Sequence, residues 1–177
     1  QKVSQSVNEE GLLILSLDDN YTLANQDAAR TTNIANDRNF MTLANNNGAL
    51  DWNGTNKCAC PNERFMSRIW KVDKTGTAIG PTWLALDNAE LGVGAFTALA
   101  LPSNMQGTLY LLVDDDGDFS SGFSYHEMTL DANGFWKIQH TFTNGQYFTF
   151  AFSNPLMRMR HGKRFIFDVS QLPYDKQ

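Results

Sequence analysis

Four carboxylates fall within five consecutive positions of "LLVDDDGDFSSG" (Leu111–Gly122), directly behind an apolar run with the character of a strand. Adjacent carboxylates repel, so such a group is either screened by water as an exposed acidic turn or gathered around a positive centre. Asp114, Asp116 and Asp118 alternate along the chain, and Gly117 supplies a sharp turn that folds their side chains toward one point. Calcium takes about six to eight oxygen ligands at flexible distances, whereas magnesium demands a tighter octahedron and keeps several waters. The expected ion is therefore Ca2+, held by Asp114, Asp116 and Asp118, with Asp115 directed to the opposite side. The spacing is not that of an EF-hand, because Tyr125 stands where that loop requires its final Glu.

The C-terminal "MRMRHGKRF" carries the opposite charge, with Arg158, Arg160, His161, Lys163 and Arg164 close together. Met alternates with Arg as in a strand with an apolar inner face and a cationic outer one. Arg158 and Arg160 are thus candidates to receive a carboxylate, set against the plainer reading of a solvated strand in an acidic chain. Trp70, Trp83 and Trp136 lie inside strand patterns and are expected in the core. Trp52, in the loop "ALDWNGTN", is the candidate for an exposed ring that stacks on a sugar. The histidines, His126, His140 and His161, lack metal-ligand spacing, and no serine stands in a nucleophile-elbow context. A paired-carboxylate hydrolase has no supporting motif, and a non-catalytic protein is the expectation. Cys58 and Cys60 in "KCACPNE" are too few for a structural zinc site and too close to staple distant parts of a fold. A local disulfide and two free thiols both remain open there.

The elements that must position these residues read almost entirely as strands. "GLLILSL", "RFMSRIWKV", "TWLALD", "TLYLLV", "FWKIQHTF" and "QYFTFAF" are short and rich in β-branched or aromatic residues. Between them stand "NNNG", "WNGT", "KTGT", "DDDGD", "DANG" and "TNGQ", which are turn signals. The pattern predicts an all-β antiparallel sandwich, a single domain over residues 1–177, with long Asn-rich loops toward the N-terminus. Asn is used seventeen times, as suits loops that satisfy their own backbone through Asx turns. The segment Asp18–Asn39 reads as either a helical turn or a long polar loop. At 177 residues, 42% of them hydrophobic, the chain suffices for a substantial core. A net charge of -5 is the wrong sign for a partner bound through phosphates, so nucleic acid is not expected. No apolar stretch approaches the ~20 residues of a spanning helix. The chain opens at Gln1 without an initiator Met or a leader, and the expectation is a monomeric module excised from a larger polypeptide.

Taken together, "RFMSRIWKVDKTGTAIGPTWLAL", "LYLLVDDDGDFSSG", "NGQYFTFAF" and "MRHGKRF" resemble a domain that recurs in large secreted bacterial surface adhesins of the RTX type. The resemblance rests on Arg68, Trp70, Lys71, Val72, Thr75 and Gly76, and on Val113, Asp114, Asp116, Gly117, Asp118 and Phe119. It implies an extracellular domain at a bacterial cell surface, where calcium is plentiful. It is similar to calcium-dependent peptide-binding modules that hold the C-terminal end of a partner chain. The implied function is non-catalytic adhesion to a peptide or protein on a host or neighbouring cell. A carbohydrate-binding module and a calcium-stiffened spacer are the alternatives.

Overall fold

The computed structural model describes residues 12–21, 28–29, 31–32, 38–54, 63–92, 94–100 and 107–153. Strands β1 (Leu13–Ser16), β5 (Thr82–Asp87), β9 (Phe135–His140) and β8 (Thr129–Leu130) form one sheet, in that spatial order. The second sheet runs β2 (Phe40–Asn45), β4 (Trp70–Thr75), β10 (Tyr147–Ser153), β6 (Thr108–Asp114) and β7 (Ser124–Glu127), with the short β3 (Glu63–Phe65) also paired to β10. Every pairing is antiparallel, and the described residues contain a 3-10 turn at Gly94–Leu99 but no α-helix. The chain folds as the all-β sandwich that its period-two patterning predicts.

Alternation along the strands builds the core. Leu84 and Leu86 of β5 face Leu109, Leu111 and Val113 of β6 and Phe148, Phe150 and Phe152 of β10 across the gap between the sheets. Trp70 closes this layer, stacked on Phe148 with ring centroids 5.4 Å apart. Strand β6 is buried over nearly its whole length because the outer face of its sheet is apolar as well. Phe65, Tyr110, Leu112, Phe119 and Ala151 make a second cluster there, with Phe123, Tyr125 and Tyr147 half-buried around it. A strand with apolar residues on both faces is the sequence mark of a central position, and β6 lies between β10 and β7.

Three expectations are corrected. "RFMSRIWKV" is two strands, because the Ser67 amide is drawn to the Asp51 carbonyl (3.1 Å) and the Arg68 Nε to the Gly48 carbonyl (2.8 Å), which breaks the ladder between β3 and β4. Trp83 and Trp136 are half-buried; the first lies under the Lys137 ammonium, 5.4 Å from its ring, and the second donates its indole N–H to Asn88 Oδ1 at 3.0 Å. Trp52 is buried at 6% exposure, and its indole N–H donates to the Leu99 carbonyl at 2.9 Å. It is a core residue, so the exposed sugar platform expected at Trp52 does not exist.

The Asn-rich loops behave as expected where they are described. Asn45 and Asn46 each accept the amide two residues on, at 2.8 and 2.9 Å, which replaces ladder bonds the turn cannot make. Within Asp18–Asn39, Asp18 is buried, accepts the Ser16 hydroxyl at 2.9 Å and takes the Thr31 amide at 3.1 Å, pinning that segment back toward β1. Lys137 of β9 holds the same region through Asp19 (2.6 Å) and also pairs with Asp131 in the turn between β8 and β9 (3.4 Å). Cys58 and Cys60, and the basic stretch containing Arg158 and Arg160, lie outside the described residues.

Candidate metal centre

The acidic loop begins where β6 ends. Asp114, the last residue of that strand, is only 5% exposed, and its Oδ2 accepts the amides of Gly117 (3.0 Å) and Phe119 (3.1 Å). A buried carboxylate needs such donors, and here they curl the chain back around it. The curl requires left-handed backbone at Gly117 (φ 80°) and at Phe119 (φ 51°). Glycine adopts the first freely, whereas Phe119 pays a steric penalty that its burial in the outer apolar cluster offsets. The loop then continues as a chain of Asx turns. Asp116 Oδ1 accepts the Asp118 amide at 2.9 Å, and Asp118 Oδ1 accepts both the amide and the hydroxyl of Ser120 at 2.7 Å.

The three alternating carboxylates converge, with ligand oxygens from Asp114, Asp116 and Asp118 all within 4.8 Å of one another. Oxygens bound about 2.3–2.6 Å from one cation stand at most about 5 Å apart, so this spread fits a single hard ion. The donor set is also right for calcium, being all oxygen and carrying formal negative charge. Asp114 gives the buried anchor, and Asp116 and Asp118 are exposed toward solvent. Asp115 turns away, as alternation requires, and accepts a hydrogen bond from Gln146 Nε2 at 3.0 Å.

Strand register places this cluster on the outer face of the six-stranded sheet. Tyr147 of β10 stands opposite Asp114 on one side and opposite Lys71 of β4 on the other, so Lys71, Tyr147 and Asp114 form one row across three strands. The Lys71 ammonium lies 5.2 Å from the Tyr147 ring centroid, and the same ring packs against Gly117 so closely that a Cβ there would fall 2.7 Å from its Cδ1. Sequence reasoning missed Lys71 and Tyr147. Alternation in "WKVDK" puts Lys71 on the face opposite Trp70 and Val72, but only the β4–β10–β6 register brings it beside the acidic loop. The candidate site thus joins Asp114, Asp116 and Asp118 and excludes Trp52, which lies between the sheets.

Fold and site define a β-sandwich domain with an oxygen-rich acidic turn on its outer face. Residues 1–146 match the family described as Domain of unknown function (DUF8202), and the chain belongs to that family. No curated protein and no solved structure matches it.

Proposed function

We propose that the domain is a non-catalytic, calcium-dependent adhesion module of a bacterial surface protein, acting outside the cell and holding a peptide or protein chain end. The observation that carries this reading is the convergence of Asp114, Asp116 and Asp118 within 4.8 Å on an exposed loop. Three carboxylates, each offering one ligand atom, leave part of a shell of about six to eight oxygens to be completed from the solvent side, where Asp116 and Asp118 are exposed. A free carboxylate is the ligand group best suited to complete such a shell. Lys71, exposed on the same row, offers a further charge-assisted contact to that carboxylate. The bacterial and extracellular setting leans on the likeness of the "RIWKV" and "VDDDGDF" segments to adhesin domains. Arg158 and Arg160 remain candidates for the same carboxylate.

One observation favours a second reading, a calcium-stiffened spacer: Phe119 fastens the loop into the outer apolar cluster, so an ion there also stiffens the sheet. Peptide arrays probed with and without calcium separate the two. Calcium-dependent binding that disappears on C-terminal amidation of the peptide supports the adhesion module. Silence on the array, combined with calcium-dependent thermal stability, supports the spacer.

A further inference from the structure

The chain passes from one sheet to the other at Met128, between β7 of the six-stranded sheet and β8 of the four-stranded one. His126 of β7 stands opposite Leu111 and therefore shares its core-facing side. His140, the last residue of β9, stands opposite the buried Thr82 and on the same side as Ile138, which packs on the core. The β8–β9 register pairs Thr129 with Lys137 and Leu130 with Trp136. Counted back three residues from Thr129, the same numbering matches His126 to His140, although His126 itself pairs with Leu111 in the other sheet. Their rings meet there with centroids 4.7 Å apart and planes tilted by 56°. His140 also lies edge-on to the buried Phe142 at 4.6 Å, and the Ser124 hydroxyl is 2.9 Å from His126 Nε2.

We propose that His126 and His140 form a proton-operated latch between the two sheets: as a neutral pair they hold β7 to the sandwich, and proton uptake by the pair releases that corner. The latch stands apart from the calcium reading, although the strand it frees is the one into which the acidic loop runs.

The surroundings oppose a positive charge. Leu111 comes from β6, Thr82 from β5, Ile138 from β9, Ser124 and Met128 from the β7 segment itself, and Phe142 from the β9–β10 turn. Lys74 of β4 donates its ammonium to the Phe142 carbonyl at 2.7 Å, which brings a cation to that side. Glu127 and Tyr125 alternate to the other face of β7. Burial lowers the pKa of His126, and burial together with the neighbouring His126 pushes His140 down to about 4. An unfolded histidine titrates near 6.5, so between those values the unfolded chain binds protons that the native pair refuses. The latch is therefore closed above about pH 6.5, and its contribution is lost as the pH falls toward 4.

Imidazole NMR titration of the native domain, together with amide hydrogen exchange at pH 7.5 and pH 5, tests the latch. Both rings should titrate below the ordinary value. The β7 amides Ser124–Glu127 should lose about tenfold in protection relative to those of β6 at pH 5, after correction for intrinsic exchange. The double variant His126→Gln/His140→Gln should lack that relative change. Native rings that titrate near 6.5, β7 amides as protected at pH 5 as at pH 7.5, or a double variant that keeps the wild-type response would each overturn the proposal. The ring titration of the wild-type chain decides the matter even where the double variant does not fold.

Discussion

Gly117 shows how much of the acidic loop depends on one missing methyl group. Its φ of 80° and the Tyr147 ring against it leave no room for a Cβ. Gly117→Ala should cost about 1–3 kcal/mol from backbone strain and the displaced ring, read as a lower urea midpoint. The carboxylates make a separate, reversible contribution. A cation that binds only the native state stabilises it by RT ln(1 + [L]/Kd), about 2.7 kcal/mol at hundredfold excess, which is a rise of several degrees in melting temperature. Calcium should produce that rise, a chelator should remove it, and Asp116→Ala with Asp118→Ala should abolish it. A wild-type melting curve unmoved by calcium and chelator alike would dismiss the metal centre. At this scale the sequence was informative, since the Asp114, Asp116 and Asp118 spacing and the glycine between the last two are local features, and the chain meets the geometry they imply.

Strands β5, β6, β9 and β10 sit where short apolar, β-branched and aromatic runs predict them, because each run matches the period and length of a buried strand. The weaker elements were not legible. Strand β2 alternates between exposed and half-buried residues at a sheet edge and lacks the apolar content that marks a central strand, and β3 merges with β4 in the single run "RFMSRIWKV", so the break between them was hidden. Phe119 belongs to this scale because it ties the loop to the sheet. Its left-handed φ of 51° favours glycine by about 1 kcal/mol, while its ring fills the outer cluster. Phe119→Ala should cost about 3 kcal/mol, and Phe119→Gly should cost less than Phe119→Ala, the reverse of the usual order. Denaturant melts of the two variants measure this directly. Equal losses would mean that the backbone at Phe119 is unstrained.

Across the whole molecule, Trp52 connects parts that are far apart in the chain. Its indole N–H reaches the Leu99 carbonyl of the 3-10 turn, and its ring stands 6.4 Å from that of Phe152 at the far end of β10. Trp52→Ala should therefore lower stability by about 3–5 kcal/mol, where an exposed sugar platform would change it by no more than about 0.5 kcal/mol. A urea midpoint within that smaller margin would return Trp52 to the surface. The β-sandwich class, the acidic turn and the self-bonded Asn loops were determined by the sequence alone, because period-two burial, Asp–Gly turn chemistry and Asx bonding act over a few residues. Which aromatic rings are buried, which face carries the carboxylates, and that Lys71 and Tyr147 stand beside them were decided only by the tertiary structure. So was the meeting of His126 with His140. These depend on strand order and register, which link residues far apart in the chain through pairings that no local pattern encodes.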